Sequence, residues 1–255
     1  MFFLFSKRFC AYFYCIFTRF MPKEFPTTLA HFLLSIGFQS LGENLWQHVA
    51  SKVRVKAIPG ESLEGDICIG EDQWSSRRDS IEKHLIARVN PLRSVFARDT
   101  RIVSIDAETA RSFLEKEHIK GFLKGSSYLG CIVPPHRVFR GIESTYAYEG
   151  HPLQAVAVFG KSIKMKEAGF EGCLSGELTE IATLSSIRLV GGLTKFLQAY
   201  KDLHPDTHNV MTYVDKEWNT GKGFLSVGFT KIGETAPIQL GDRMNKGNLK
   251  LRYVY

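Results

Sequence analysis

The run from Glu177 to Phe229 constrains this chain most. It reads as a strand (ELTEIATL), a loop ending in two glycines (SSIRLVGG), a helix (LTKFLQAYKDL), a strand (NVMTYVD) and a Gly-rich segment closing on Gly228-Phe229. Leu193, Phe196, Leu197 and Tyr200 fall at i, i+3, i+4 and i+7, so the helix buries one stripe and turns Lys195, Gln198 and Lys201 outward. A strand feeding a glycine turn into a helix N-terminus points several backbone N–H groups at one spot, which favours a phosphate. Glycine lets that turn be tight and lets a ligand approach the backbone. A plain turn is the competing reading of the glycine pair by itself.

With 255 residues, the chain can form one large domain or two small ones around a real core. Its 44% hydrophobic and 23% charged content excludes disordered and fibrous classes. The net charge of +7 and pI near 9.1 favour a polyanionic partner: nucleic acid, an acidic membrane face or a phosphorylated cofactor. Only Lys161, Lys164 and Lys166 form a dense cationic group, which a solvated loop explains equally well. Five cysteines without CxxC spacing argue against a disulfide framework and a structural zinc, and for a reducing, cytoplasmic setting. The histidines form no metal-binding pattern, and Pro205 separates His204 from His208. No metal is expected.

Residues 1–25 form a hydrophobic extension rich in Phe and Tyr. Its uncharged stretch, Phe9 to Thr18, is shorter than the ~20 residues of a membrane-spanning helix. No transmembrane segment is expected there; Met21 as the natural start and a peripheral membrane anchor are the two readings. Residues 26–100 read as a small α/β region. It has one or two helices between Pro26 and Ser51 broken at Gly37 and Gly42, strands VRVKAI and DICIG around the turn PGESLEG, and a helix opened by Ser76 and Asp79 at capping-box spacing. Residues 101–255 read as mixed α/β with a mostly antiparallel sheet. Strand RIVSI leads to a helix capped by Asp106, then SSYLGCIV, LQAVAVFG, the central run, FTKIG and LKLRYVY.

From about residue 101 to 235 this element order resembles the GNAT N-acetyltransferase superfamily. That family writes its turn Q/R-x-x-G-x-G/A; Arg188 and Gly191 match its first and fourth positions, Leu193 departs from the sixth, and Gly192 stands in for the small residue. Gly228-Phe229 is similar to its second signature. A narrower resemblance joins ARSFLEKEHIKGF, LQAVAVFG, RLVGGLTKFLQAY and TYVDKEWNTGKGFLSVGFTKIGETAP to uncharacterised GNAT-like proteins of phages, bacteria and mobile elements, with the Mom-type DNA-modification enzymes sharing the broader fold. Its hallmark run is Tyr213, Asp215, Trp218, Asn219 and Gly221. The resemblance implies a CoA-dependent N-acyltransferase. In it Arg188, Val190, Gly191, Gly192, Leu193 and Thr194 would hold the pyrophosphate of acetyl-CoA or another acyl-CoA. The region before residue 100 is similar to the strand-to-helix end of restriction-like nucleases, but Glu71 and Asp72 lack the spaced carboxylates and lysine that chemistry needs, so an eroded remnant or a plain helix entry is expected.

Acyl transfer to an amine requires a polarised carbonyl, a deprotonated amine and a protonated leaving thiolate. Glu180 in mid-strand is the candidate base, against the alternative of an outward-facing strand residue. The family's tyrosine acid falls on Phe224, which has no proton to give, so Tyr213 or Ser226 is the candidate acid, or water serves. Asp215, Trp218, Asn219 and His118 are candidate substrate contacts, reading a planar base or an amine. Helix capping by Asp215 and His118 and packing of Trp218 compete with those roles. The rival to an enzyme is a non-catalytic nucleic-acid-binding module of a phage or mobile element, or a nuclease-associated protein.

Overall fold

The computed structural model describes residues 24–57, 67–137, 144–241 and 243–255. The readings of the N-terminal extension before Glu24 and of the PGESLEG turn fall outside the described residues. Helix α1 (Glu24–Ser35) buries Phe25, Leu29 and Leu33 at four-residue spacing. It stops at Gly37, whose φ of +89° a residue with a Cβ rarely adopts. The expected second helix is instead a hairpin of β1 (Phe38–Gly42) and β2 (Leu45–His48). Glu43 and Asn44 both have positive φ, 47° and 61°, the mirror-image turn that suits the twist of paired strands.

Strand β3 (Arg54–Ala57) pairs antiparallel with β2, and β4 (Ile67–Ile69) pairs parallel with β3. Helix α2 (Glu71–Val89) covers this sheet with Trp74, Ile81 and Leu85. It starts five residues before the expected Ser76. Gly70 donates its N–H to Gln73 Oε1, and Ser76 Oγ donates back to the Asp72 carbonyl at 2.6 Å instead of capping.

After Asn90-Pro91 come β5 (Arg93–Phe96), β6 (Arg101–Ser104) and α3 (Ala107–Glu117), whose cap Asp106 accepts the Thr109 N–H at 2.7 Å. Then follow β7 (Ser127–Ile132), β8 (Ala147–Tyr148), β9 (His151–Phe159), β10 (Ile163–Lys164), β11 (Leu174–Thr183), β12 (Ile187–Val190) and α4 (Gly192–Leu203). The chain ends with β13 (Thr207–Asp215), the short α5 (Lys222–Leu225), β14 (Thr230–Glu234), β15 (Gln239–Leu240), β16 (Arg243–Met244) and β17 (Asn248–Val254). The main sheet runs β14-β17-β13-β11-β9-β7-β6, with β10 on β11 and β8 on β9. Every pair in it is antiparallel except β11–β13. This is the mixed, mostly antiparallel sheet flanked by helices that the sequence predicts.

Alternation along the strands divides the core. Ala155, Ala157 and Phe159 pack under α4 with Phe196, Leu197 and Tyr200, while Val156 and Val158 pack under α3 with Phe113 and Leu114. Phe159 and Tyr200 stack at 3.9 Å, and a Cβ on Gly176 would sit 2.7 Å from the Tyr200 ring, so only glycine admits that stack.

The two parts of the chain are stitched together. Strand β5 pairs in parallel with β12, so residues 93–96, which lie before the boundary expected near residue 100, pair with a strand of the C-terminal part. Arg77 of α2 donates to the Glu115 and His118 carbonyls and pairs with the Glu115 carboxylate at 2.8 Å.

Candidate active site

The parallel ladder of β11 and β13 ends at Leu178 and Thr212, yet β11 runs on to Thr183 and β13 to Asp215. The two strands therefore separate at their C-terminal ends and leave a cleft. A helix joining two parallel strands begins at that same end of the sheet, where the N-terminal turn of α4 meets the segment between β5 and β6. Between Leu178 and Glu180 the pairing with β9 slips by one residue, a bulge that leaves Thr179 out of register with both neighbouring strands, its hydroxyl donating to the Val158 carbonyl at 3.0 Å. The bulge also re-aims the strand. Leu178 and Ile181 pack on the α4 side, whereas Ala182 lies on the α3 side, as does Glu180, whose carboxylate meets the chain just after α3.

Glu180 is thus inward, not the outward strand residue that was the alternative: it is 3% exposed. Its Oε2 accepts the Leu123 N–H at 2.9 Å, and its Oε1 lies 3.4 Å from His118 Nδ1. That separation is not a hydrogen bond. Nδ1 is directed to the Gly121 carbonyl at 3.1 Å, and Oε1 is a buried oxygen with no donor among the described residues. A buried carboxylate oxygen left without a donor costs about 1–3 kcal/mol or more, and such groups cluster where function holds them. Two residues singled out separately in the sequence, Glu180 and His118, therefore meet across the α3–β7 loop.

At the glycine turn, Gly191 has φ of +77° and the first intrahelical bond runs from Lys195 N–H to the Gly191 carbonyl at 3.2 Å. The N–H groups of Gly192, Leu193 and Thr194 consequently stand outside the helical ladder. Those of β12, including Val190 opposite Phe96, lie in the strip that pairs with β5. Lys195 is not turned to solvent as the helix pattern predicts. Its Nζ binds the Ala97 and Thr100 carbonyls and locks the turn to the segment after β5. Arg188 is exposed on β12.

The remaining candidates separate. Tyr213 and Asp215 lie on β13 beyond the last rung with β11; Tyr213 is 44% exposed, and Asp215 Oδ2 pairs with Lys120 at 2.7 Å. Asp215 Oδ1 accepts the Glu217 N–H. Trp218 does not line the cleft. It is 8% exposed and fills the N-terminal core with Trp74, Ile81 and Leu85, because the segment after β13 leans onto α2. Asn219 turns its Oδ1 to the Gly221 N–H, and Ser226 is exposed with its hydroxyl on the Gly223 carbonyl. Phe224 packs against the α4-side core and edge-on to Phe229. Asp72, the nuclease candidate, is bound by Arg243 at 2.8 and 3.2 Å, and among the described residues no cluster of His, Cys, Asp or Glu could hold a metal ion. No helix among the described residues is long and apolar enough to cross a membrane.

No family model matches the chain, and no curated protein does. Among solved structures, the chain is similar to the ribosomal-protein-S18-alanine N-acetyltransferase from Escherichia coli, with 12% identity, TM-score 0.41, and 61% of this chain and 93% of that one covered. It is similar to a GNAT family acetyltransferase from Elizabethkingia anophelis with acetyl-CoA bound, at 12% identity and TM-score 0.40, covering 62% and 99% of the two chains. The IAA acetyltransferase from Bacillus cereus gives 10% identity and TM-score 0.38, covering 61% and 99%. Likenesses this distant assign no family to the chain.

Proposed function

We propose that the chain is an acyl-CoA-dependent N-acyltransferase of the GNAT type, using acetyl-CoA or another acyl-CoA. The observation that carries this reading is the cleft where β11 and β13 part, bounded by the Thr179 bulge, the buried Glu180 and the free N–H groups of α4. A thioester supplies the activated acyl group, and this chain's residues do the rest. The N–H groups of Gly192, Leu193 and Thr194, with Arg188 exposed on the adjoining β12, form an anion site suited to a diphosphate. Thr179, out of both ladders, offers a backbone donor to a carbonyl oxygen gaining charge. Glu180 and His118 handle the acceptor's proton. Tyr213, exposed on the cleft wall, is the donor for the leaving thiolate, while Asp215 faces the acceptor. The acceptor amine belongs to a protein or a nucleic acid. Calorimetry with acetyl-CoA tests the reading: binding by the parent that Gly191→Val weakens at least tenfold is expected, and absence of binding by the parent removes it.

A second reading rests on Lys161, Lys164 and Lys166, all exposed on the β9–β11 connection. As a non-catalytic nucleic-acid module, the chain would bind DNA or RNA with an affinity falling steeply with salt and would ignore acetyl-CoA.

A further inference from the structure

Resting on the acyltransferase reading, we propose that His118 Nε2 is the base that accepts the acceptor's proton, with Glu180 as the positioning residue behind it. The ring nitrogens have unequal surroundings. Nδ1 faces the Gly121 carbonyl at 3.1 Å, an acceptor only, so the neutral ring carries its proton there. That leaves the Nε2 lone pair on the opposite ring edge, and no hydrogen bond engages Nε2 among the described residues. Glu180 itself is sealed, its side chain 0% exposed against 20% for His118, so an acceptor reaches the imidazole and not the carboxylate.

When Nε2 takes a proton, the imidazolium lies beside a carboxylate oxygen 3.4 Å from Nδ1 that has no hydrogen-bond donor among the described residues. This explains why the structure keeps that oxygen unpaired: its partner is the charge that forms during the reaction. The Leu123 N–H holds Oε2, which leaves Oε1 turned to the ring. From α2, Arg77 reaches the His118 carbonyl but pairs its charge with Glu115, and burial lowers the pKa of His84, outweighing the Ser80 carbonyl, which acts to raise it. Glu117 on α3 is occupied by Lys83, Tyr146 and the Ser185 N–H, and Lys120 by Asp215. Glu180 is therefore the one uncommitted charge at the ring among these neighbours.

In the step, the acceptor ammonium gives one proton to Nε2. The freed nitrogen lone pair forms the C–N bond with the acyl carbon, the C–S bond breaks, the thiolate takes a proton from Tyr213 that the amide nitrogen's second proton replaces, and the imidazolium then gives its proton to solvent.

Two measurements test this. Nitrogen NMR of the imidazole in the parent protein is expected to show the Nδ1-protonated neutral ring. In Glu180→Gln the amide oxygen keeps the Leu123 N–H and turns its NH2 toward Nδ1, so the neutral ring shifts toward the other tautomer. An Nε2-protonated ring in the parent, or no change in the variant, overturns the assignment. The second measurement is CoA release from acetyl-CoA with two probes, n-butylamine, charged at neutral pH, and hydroxylamine, which is not. His118→Asn is expected to bind acetyl-CoA as the parent does and to lose about a hundredfold or more with butylamine, at least tenfold more than it loses with hydroxylamine. Equal losses with both probes, or no loss, overturn the proposal, as does a parent that binds acetyl-CoA but releases no CoA with either. Acetyl-CoA calorimetry separately reports on the acyltransferase reading.

Discussion

Arg243 Nη1 lies 2.5 Å from Glu217 Oε1, and both side chains are closed to solvent. The same guanidinium grips Asp72 with two further hydrogen bonds, while Gln73 donates to Glu217 Oε2 and Cys68 donates its N–H to the Glu217 carbonyl. One cation from the C-terminal hairpin thus ties the entry of α2 to the segment after β13. Burial raises the pKa of Glu217 despite Arg243. At Asp72 burial acts in the same sense, but the hydrogen bonds and charge of Arg243 outweigh it and lower the pKa.

Removing one member of a buried pair strands the other. Arg243→Leu is expected to cost about 3–5 kcal/mol in urea unfolding, because Glu217 remains inside without its counter-charge. Asp72→Asn should cost no more than about 1 kcal/mol, since that carboxylate is half exposed.

The glycine pair has two different sensitivities. At Gly191 a Cβ would meet only Ala97 at 3.7 Å, so Gly191→Ala is opposed by backbone conformation and should cost about 1–2 kcal/mol. At Gly192 a Cβ would lie 2.5 Å from Leu189, so Gly192→Ala must displace that side chain. Thermal melts should show Gly192→Ala rescued in part by Leu189→Ala and Gly191→Ala not rescued.

Trp218→Ala should lower stability by about 3–5 kcal/mol, as expected for loss of a core aromatic. Tyr213→Phe, on an exposed ring, should leave stability within about 0.5 kcal/mol and lower turnover if the hydroxyl protonates the thiolate. Denaturant titration of both variants checks the contrast.

Burial pushes the Cys131 thiol up to about 11. The unfolded chain ionises this thiol at lower pH than the folded one, so its stability contribution is complete below the unfolded pKa and is lost as pH rises toward 11. Urea midpoints for Cys131→Ser against the parent should therefore converge as pH rises from neutral into that range. Iodoacetamide should spare Cys131 in the folded protein and modify the partly exposed Cys173.

What could be read from sequence was local. The α4 stripe, the Asp106 cap and the alternating strands each depend on neighbours a few residues away. The direction of Glu180 was not readable, because it depends on a slip against β9 at Thr179 that leaves no residue signature. Trp218 looked like a cleft residue because its role depends on a core more than a hundred residues upstream. The β1–β2 hairpin had a visible marker in Gly42-Glu43-Asn44, hidden by apolar residues that also fit a helix. Pairing of β5 with β12 is a long-range contact with no periodic trace.

That last pairing bears on how the molecule can be dissected. A protein shortened to begin at Arg101 would retain every strand of the nine-stranded sheet but lose residues 93–96 and the Ala97 carbonyl that anchors Lys195. Its glycine turn at the start of α4 would be left unbuttressed, an intact scaffold with a slack hand.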